Sequence, residues 1–343
     1  MNPKPKPAAP RIGVPQIGVI GLGHWGANLV RNVEALGALA ALHDAVPATQ
    51  AKFAAAHPVA RVHASAAAVL ADPGIEAVMI ATPAVTHGAL VKEALAAGKH
   101  VFVEKPLCLD VAEAEALARD AARRGRILMV GHLLHYHPAF IALGAAVARG
   151  DLGKLRYIYS HRLSLGRIRR EENALWSFAP HDISMILALT GAMPVRVSAE
   201  GAHFLADGVA DATLSHLTFP GGEQAHVFVS WLHPYKDQRL VVVGDKGMAV
   251  FNDVAVGPEK LQLYRHEAGW SGDIPFVTKA EAEPIPYEAA EPLTRECEAF
   301  LAALRGGPKP PSDAAEGIRV LTVLDACQRA LERRAPVELA AKG

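Results

Sequence analysis

Three glycines near the amino terminus have a spacing that can do chemistry. Gly21, Gly23 and Gly26 follow the apolar run Ile17–Ile20 and precede a stretch of helical pattern, residues 27–33. In a G-x-G-x-x-G turn, the first glycine permits the tight turn, the second lets a pyrophosphate approach the backbone, and the third allows close helix–strand packing. The helix N-terminus then attracts the phosphates. Alone, the same spacing is also typical of a turn that only joins a strand to a helix.

An acidic residue follows at the offset expected for a ribose ligand. Asp44 ends the second apolar run and lies about 20 residues after the turn, where a carboxylate binds the diol of an adenosine ribose. The next residues, Ala45, Val46 and Pro47, include no arginine for a 2′-phosphate, so NAD is favoured over NADP. A plain helix N-cap is the other interpretation of Asp44.

These residues need a scaffold, and the first part of the chain alternates strands with helices. Apolar runs at 61–63, 75–83, 100–106 and 127–130 are separated by helical stretches, which predicts a doubly wound parallel sheet. Ligands of such sheets lie off the carboxyl ends of the strands. The residues at these ends are the glycine turn, Asp44, Thr82, Pro83, Glu104, Lys105, Pro106 and His132.

After residue 155 the pattern becomes that of antiparallel strands with one polar face. It extends through 156–163, 195–202, 213–219, 225–230, 239–244 and 261–264, and helices are predicted at 294–305 and 314–333. The expected fold class is α/β, with a Rossmann domain at 16–131 and a C-terminal α+β domain at 132–343. That second domain would contain a large, open, mostly antiparallel sheet, and residues 1–15 would form a flexible tail.

The composition excludes several classes of partner. The chain has 35 Lys+Arg against 35 Asp+Glu, which gives no electrostatic reason to expect nucleic acid or an anionic membrane. No stretch approaches the roughly 18 apolar residues of a membrane helix, and the N-terminus lacks the apolar run of a signal peptide.

The residues that could bind a metal have poor spacing for one. Cys108, Cys297 and Cys327 are far apart, which favours neither disulfides nor zinc and fits a reducing cytoplasm. The cluster His132, His135 and His137 has no carboxylate nearby and no further ligand pattern. We therefore expect no metal. His132 would border the nicotinamide, and the other two histidines would be structural or line the substrate cleft.

These motifs resemble the Gfo/Idh/MocA oxidoreductases. The resemblance rests on the glycine turn, on Ala81–Pro83 with His87 after it, and on Gly98–Pro106. It implies that the Glu-Lys-Pro motif closes the nicotinamide site, with Lys105 catalytic and bound to the substrate hydroxyl, Glu104 beside the nicotinamide ribose, and the proline commonly in a cis peptide. The expected NAD-binding residues are Gly21, Gly23, His24, Trp25, Gly26, Asp44, Thr82, Pro83, His87, Glu104, Lys105 and His132. From composition alone, Glu104 and Lys105 would be a solvated charge pair.

The same resemblance implies a second catalytic residue. His181 stands where the family has a histidine near the reacting carbinol, usually with an aspartate four residues before it. Position 177 is a serine in this chain, so the usual lysine–aspartate–histidine set is broken and proton transfer would rest on Lys105 and His181. Imidazole, with a reference pKa of about 6.5, is a plausible base. A helix residue satisfied by local hydrogen bonds is the alternative for His181.

Three further segments, 21–32, 157–184 and 230–247, resemble the UDP-N-acetylglucosaminuronate 3-dehydrogenases within this family. This implies NAD-dependent oxidation of the C3 hydroxyl of a UDP-N-acetyl-hexosaminuronate to a 3-keto sugar in bacterial surface-polysaccharide synthesis. Arginine forks suit the diphosphate and the carboxylate of such a substrate, although each could equally be a surface charge. The expected substrate-binding residues are Lys105, Tyr157, Arg162, Arg167, Ser177, His181, Trp231, Lys236 and Arg239.

The resemblance also implies a homo-oligomer, either a tetramer or a dimer. Because some relatives reoxidise their bound NADH with 2-oxoglutarate, it makes 2-oxoglutarate a candidate second partner. Two other functions stay open. One is a dehydrogenase of a free sugar or polyol such as inositol, which the arginine-rich segment and Ser177 disfavour. The other is a non-catalytic NAD-binding regulatory protein, which the presence of both Lys105 and His181 disfavours.

Overall fold

The computed structural model describes residues 13–166 and 168–339, which form two compact units. The first unit contains the described residues up to Leu133 together with Glu291–Leu321. The second contains Leu134–Ala290 and the described residues from Thr322 onward. The predicted tail, residues 1–15, falls largely outside the described chain. The sequence-based division also placed 291–321 in the second domain, whereas this segment packs within the first unit.

The first unit is built on a six-stranded parallel sheet, as expected. Its strand order, β3-β2-β1-β4-β5-β6, reverses between β1 and β4, which is the point where ligands bind in doubly wound sheets. Five of these strands are almost continuously buried, the pattern of a sheet covered on both faces. The strands are β1 (Ile17–Ile20), β2 (Leu39–His43), β3 (Arg61–Val62), β4 (Ala77–Ile80), β5 (His100–Val103) and β6 (Leu128–Val130).

Local sequence explains where the principal helices begin and end. Asp110 accepts a hydrogen bond from the Glu113 N–H at 2.7 Å, and Asn173 caps another helix that stops at Gly191 in left-handed conformation. The helices of the described chain are α1 (His24–Ala35), α2 (Pro47–Ala56), α3 (Ala66–Ala71), α4 (His87–Ala96), α5 (Val111–Arg123), α6 (Pro138–Ala148), α7 (Ala174–Thr190), α8 (Pro292–Leu304) and α9 (Ala314–Arg333).

Helix α8 explains why residues 291–321 belong to the first unit. It packs against α1, and its Phe300 meets Phe102 of β5 edge to face, with ring centroids 5.9 Å apart. Asn32 of α1 accepts a hydrogen bond from the Thr294 hydroxyl at 2.6 Å. The helical pattern of this segment was predicted, but its partner lies far away in sequence.

The second unit contains a nine-stranded, mostly antiparallel sheet, which confirms the expected fold class. Its order is β16-β13-β12-β11-β7-β10-β9-β8-β17, and only the β7–β10 pair is parallel. Helix α7 packs against β7 and β10. Two further strands, β14 (Glu267–Ser271) and β15 (Ile274–Thr278), pair only with each other. The nine strands of the large sheet are β7 (Leu155–Leu165), β8 (Arg196–Ala202), β9 (Ala212–Thr218), β10 (Gln224–Ser230), β11 (Leu232–Gly244), β12 (Met248–Asn252), β13 (Leu261–Tyr264), β16 (Ala282–Pro284) and β17 (Val337–Glu338).

Among the residues that the structure describes, no helix is long and apolar enough to span a bilayer. The three cysteines are all buried and unbonded to one another. Within the same residues, no group of three or more His, Cys, Asp and Glu side chains is arranged to hold a metal ion.

Candidate active site

The glycine turn has the geometry that a dinucleotide requires. Gly21 has φ of 91°, and a Cβ on Gly26 would lie 2.0 Å from the Gly21 carbonyl oxygen. At Gly23, by contrast, an added Cβ would meet nothing within 4 Å. This glycine is exposed and precedes α1, whose N-terminus has no side-chain cap. Open space beside uncapped N–H groups fits a pyrophosphate at this position.

Asp44 lies at the end of β2, beside the turn that follows β1. Its Oδ2 accepts a hydrogen bond from the Leu22 N–H at 2.6 Å, and its Oδ1 accepts one from the Val46 N–H at 2.8 Å. The carboxylate is half-buried and fixed to the turn by the backbone. It is not the cap of α2, whose N-cap is Val46. This geometry fits a ribose ligand and disfavours the plain N-cap.

Replacing Gly23 by alanine should affect mainly NAD binding, whereas replacing Gly26 by alanine should affect mainly stability. Gly23→Ala should leave the free energy of unfolding within about 1 kcal/mol while weakening NAD binding, because the methyl group enters the open space. Gly26→Ala should destabilise the first unit by roughly 1–3 kcal/mol, because its methyl group clashes with backbone. Urea unfolding and NADH fluorescence titration measure the two effects. Equal loss of stability in both variants would contradict this assignment.

The end of β4 is linked to the Glu-Lys-Pro motif by a buried histidine. The His87 ring contacts the Pro106 carbonyl through Nδ1 at 2.7 Å and the Thr82 carbonyl through Nε2 at 2.9 Å. Thr82 is half-buried and Pro83 is exposed, and the Lys105–Pro106 peptide is cis. His87 is thus placed to hold together the segments that follow β4 and β5. Its predicted role in NAD binding would then be indirect, through the positions of Thr82 and Pro106.

Glu104 is not a solvated charge, because its side chain is only 8% exposed. Burial raises its pKa to about 8, against the opposing effects of the Lys105 charge and of hydrogen bonds from the Trp25 side chain and the Lys105 backbone. A Cβ at Gly131 would lie 3.0 Å from its Oε2, so a larger residue there would collide with the carboxyl. The half-buried Lys105 follows directly. Trp25 of the turn, Glu104 and Lys105 therefore form one connected group.

The raised pKa of Glu104 predicts a pH-dependent stability. Between the ordinary pKa of 4.5 and about 8, the native protein retains a proton that the unfolded chain releases. Stability contributed by this group therefore falls as pH rises through that window, by up to about 1.4 kcal/mol per pH unit. Glu104→Gln should reduce this slope, as measured by urea unfolding from pH 5 to 8. Glu93→Gln, on the exposed side of α4, is the control, and an unchanged slope in Glu104→Gln would contradict the assignment.

The three clustered histidines each bind a different partner. His132 in the first unit contacts Glu316 through Nδ1 at 2.5 Å and is almost fully buried. In the second unit, His135 contacts the Ser184 hydroxyl at 2.7 Å, and His137 Nδ1 accepts the Ala139 N–H at the start of α6. The last two contacts are structural, and the role of His132 beside the nicotinamide stays a prediction.

Helix α7 of the second unit carries both Ser177 and the half-buried His181, one turn apart. The Ser177 hydroxyl donates to Glu172 Oε1 at 2.7 Å, and Glu172 also pairs with Arg169 at 3.1 Å. A carboxylate is therefore attached to the position where the family usually has an aspartate. Sequence reasoning missed Glu172. The only signal for it was Ser177, whose hydroxyl can donate a hydrogen bond to an acid five residues earlier.

Arg162 is buried inside the second unit, which corrects its predicted role as a substrate ligand. Its Nε donates to Asp182 Oδ2 at 2.8 Å and its Nη2 donates to Oδ1 at 3.3 Å. Burial lowers the Arg162 pKa, but the Asp182 and Asp253 carboxylates outweigh it and leave the pKa raised. Arg162 thus links β7 to α7 through a buried ion pair.

Trp231 requires the same correction. Its side chain is 0% exposed, and its indole N–H donates to Asp211 Oδ1 at 2.6 Å, so it cannot form a wall of the substrate site. Arg239 is bound at both ends of its fork by Asp237, at 2.7 and 2.6 Å, yet its side chain is 41% exposed. Lys236 and Tyr157 are exposed and stay candidates. Arg167 lies outside the described residues.

Four features together define an NAD-binding Rossmann oxidoreductase. They are the parallel sheet, the open glycine turn, the acid after the second strand, and a Glu-Lys-Pro motif whose glutamate is buried. Residues 16–132 match the family model described as oxidoreductase family, NAD-binding Rossmann fold, and residues 140–250 match the GFO/IDH/MocA C-terminal domain. The chain belongs to the Gfo/Idh/MocA family. Its cofactor is accordingly NAD, and the family acts on CH–OH groups.

Known relatives match nearly the full length of the chain. UDP-N-acetylglucosamine 3-dehydrogenase from Acidithiobacillus ferrooxidans is 31% identical over 94% of this chain and 96% of its own. Its solved structure has a TM-score of 0.81 and covers 93% and 97% of the two chains. Inositol 2-dehydrogenase from Rhizobium meliloti is 28% identical over 95% and 99%. A putative oxidoreductase from Magnetospirillum magnetotacticum is 32% identical, with a TM-score of 0.80 over 92% and 100%.

Proposed function

We propose that this protein oxidises the C3 hydroxyl of a UDP-N-acetyl-hexosamine with NAD and forms the 3-keto sugar. The observation that carries the proposal is the nearly full-length similarity to the Acidithiobacillus UDP-N-acetylglucosamine 3-dehydrogenase. Segments 21–32, 157–184 and 230–247 resemble the enzymes that act on the uronate. UDP-N-acetylglucosaminuronate is therefore the first substrate to test.

The residues of the chain supply binding, orientation and proton transfer, and NAD supplies the hydride acceptor when bound. Gly23 gives the pyrophosphate access to the backbone, Asp44 binds the ribose, and Glu104 and Trp25 support the segment that holds Lys105. Lys105 Nζ binds the sugar hydroxyl and, as the neutral amine, accepts its proton. His181 is a second proton-transfer residue, as the family resemblance implies.

The charged part of the substrate would be recognised by Lys236 and Arg239. Asp237 fixes the Arg239 guanidinium in a bidentate pair, which leaves its remaining N–H groups for an anion. The loss of Arg162 from the predicted set weakens the expectation of an arginine cluster. The distinction between a uronate and a neutral sugar therefore rests on fewer cations than the sequence indicated.

A substrate panel tests the proposal. NADH absorbance is followed with UDP-N-acetylglucosaminuronate, UDP-N-acetylglucosamine and myo-inositol, and the uronate should exceed inositol in kcat/KM by at least about 100-fold. Free N-acetylglucosamine, which lacks the nucleotide, is the matched control. Turnover of inositol alone would contradict the nucleotide-sugar assignment.

A polyol dehydrogenase is the second candidate, and the Rhizobium meliloti inositol 2-dehydrogenase, which covers 95% of this chain, favours it. A non-catalytic NAD-binding protein would bind NADH yet turn over no member of the panel. We also propose that the 3-keto product is destined for transamination in surface-polysaccharide synthesis. Reoxidation of tightly bound NADH on adding 2-oxoglutarate, and a tetramer or dimer in light scattering, are the expected accompanying results.

A further inference from the structure

One glutamine holds the segment that follows β2. Gln50 is the fourth residue of α2, and its Oε1 accepts a hydrogen bond from the Asp44 N–H at 3.0 Å and contacts His43 Nδ1 at 3.1 Å. The Gln50 N–H donates to the Val46 carbonyl at 3.0 Å, so the first turn of α2 brings the carboxamide back to the end of β2. We call Gln50, His43 and Asp44, joined in this way, the glutamine bridge.

The donors of the glutamine bridge fix the tautomer of its histidine and the orientation of its carboxamide. His43 Nδ1 also contacts the His63 carbonyl at 3.1 Å, and a carbonyl oxygen can only accept, so Nδ1 carries a proton. This ring N–H and the Asp44 N–H both require an acceptor, which places the amide oxygen of Gln50 against them rather than its NH2 group. The contacts therefore join α2 to the ends of β2 and β3.

The glutamine bridge fixes the main chain at Asp44, and two further N–H groups fix its carboxylate. One comes from Leu22 in the glycine turn, at 2.6 Å, and the other from Val46, at 2.8 Å. Among the described residues, neither carboxylate oxygen pairs with a lysine or an arginine, so no cation neutralises its negative charge. A carboxylate held in this way accepts hydrogen bonds from a ribose diol and repels the 2′-phosphate of NADP.

Packing of the first unit does not account for the glutamine bridge. Helix α2 buries none of its residues and Gln50 is only half-buried, so this glutamine is not a core residue. It does not cap α2 either, because the N-cap is Val46. Its amide oxygen instead meets two donors on the segment that ends in Asp44. The bridge thus determines where the Asp44 carboxylate lies, and polar groups fixed before a ligand arrives give a site its selectivity.

We propose that Gln50 is a positioning residue that sets the preference of this protein for NAD over NADP through Asp44. With the bridge intact, the carboxylate is fixed where the ribose diol binds and where a 2′-phosphate would be repelled. With the bridge broken, the main chain at Asp44 gains freedom, so binding of the diol weakens and repulsion of the phosphate relaxes. This role involves the cofactor alone, whichever alcohol the protein oxidises.

Two variants of Gln50 separate the acceptor oxygen from the length of the side chain. Gln50→Met keeps the length and loses the acceptor, whereas Gln50→Glu keeps an acceptor and adds a negative charge. The dissociation constants of NADH and NADPH are measured by fluorescence titration. In Gln50→Met the NADH constant should rise by about 3- to 10-fold while the NADPH constant does not rise. In Gln50→Glu the NADH constant should stay within about twofold of wild type, and NADPH should bind more weakly than to wild type.

Gln224→Met is the matched control, because the Oε1 of Gln224 likewise contacts a histidine, His216, at 2.8 Å and accepts from the Thr218 hydroxyl at 3.1 Å. Gln224 lies outside residues 16–132, which match the NAD-binding family model, so both constants should keep their wild-type values. A second measurement needs no cofactor. Hydrogen exchange of the segment 43–46, followed by mass spectrometry, should accelerate by about threefold or more in Gln50→Met and stay near wild type in Gln50→Glu.

Equal weakening of NADH and NADPH binding in Gln50→Met would mark Gln50 as merely structural and overturn the proposal. So would a Gln50→Glu protein that loses as much NADH affinity as Gln50→Met, or unchanged exchange of the segment 43–46 in Gln50→Met. None of these measurements uses a sugar. Failure of the UDP-sugar panel would therefore leave the role of Gln50 intact, and failure of the Gln50 variants would leave the proposed substrate intact.

Discussion

Lys105→Met is expected to lower kcat/KM by roughly 10²- to 10⁴-fold while NADH binding changes by no more than about twofold. Methionine keeps the length and apolar stem of the side chain but lacks the nitrogen that would accept the hydroxyl proton. Initial rates of NADH formation measure the first quantity and NADH fluorescence measures the second. A loss confined to catalysis would mark Lys105 as acting on the substrate rather than on the cofactor.

Lys92→Met on α4 makes the same chemical change at an exposed position and should leave both quantities unchanged. The Lys105 charge also lowers the pKa of the neighbouring Glu104, so Lys105→Met should raise that pKa above the wild-type value of about 8. A Lys105→Met protein that kept wild-type kcat/KM would remove Lys105 from the mechanism.

Arg162→Met should lower the free energy of unfolding by about 3–5 kcal/mol. The substitution leaves the Asp182 carboxylate buried without the guanidinium that donates to both of its oxygens. Asp182 would keep the Ser160 hydroxyl as a donor, which does not replace the lost charge. Urea or thermal unfolding of the purified protein measures the effect.

Two comparisons identify the cause of that loss. Arg162→Met combined with Asp182→Asn should regain part of the stability, because no uncompensated charge stays buried. Arg156→Met on the same strand breaks a largely exposed pair with Asp245, 3.5 Å apart, and should cost no more than about 1 kcal/mol. Equal losses in Arg156→Met and Arg162→Met would show that burial is not the determinant.

The Rossmann sheet and its glycine turn could be predicted because their determinants are local in sequence. Buried parallel strands are continuous apolar runs, and the positive φ of Gly21 and the crowding at Gly26 permit only glycine. The offset of Asp44 follows from the length of one βαβ unit. The family resemblance added the roles of Lys105 and His181, which periodicity alone does not indicate.

Side-chain partners across long sequence separations could not be predicted. Arg162 and Arg239 are similar in sequence context, yet one is buried against Asp182 and the other is only half-buried beside Asp237. The sequence around Trp231 also does not show whether its side chain is buried, because its hydrogen-bond partner, Asp211, lies 20 residues away. Glu296 is 0% exposed, yet nothing in the local pattern around it distinguishes it from a surface acid.

Transfer of deuterium from C3 of UDP-N-acetylglucosaminuronate to NAD tests the central claim most directly. The substrate is labelled with deuterium at C3 only, and the coenzyme and sugar are analysed by mass spectrometry after turnover. The account predicts NADH that carries the deuterium, together with an unlabelled 3-keto sugar. NADH formed without deuterium would place the oxidation at another carbon, and inositol oxidation with no reaction of the UDP-sugar would contradict the nucleotide-sugar assignment.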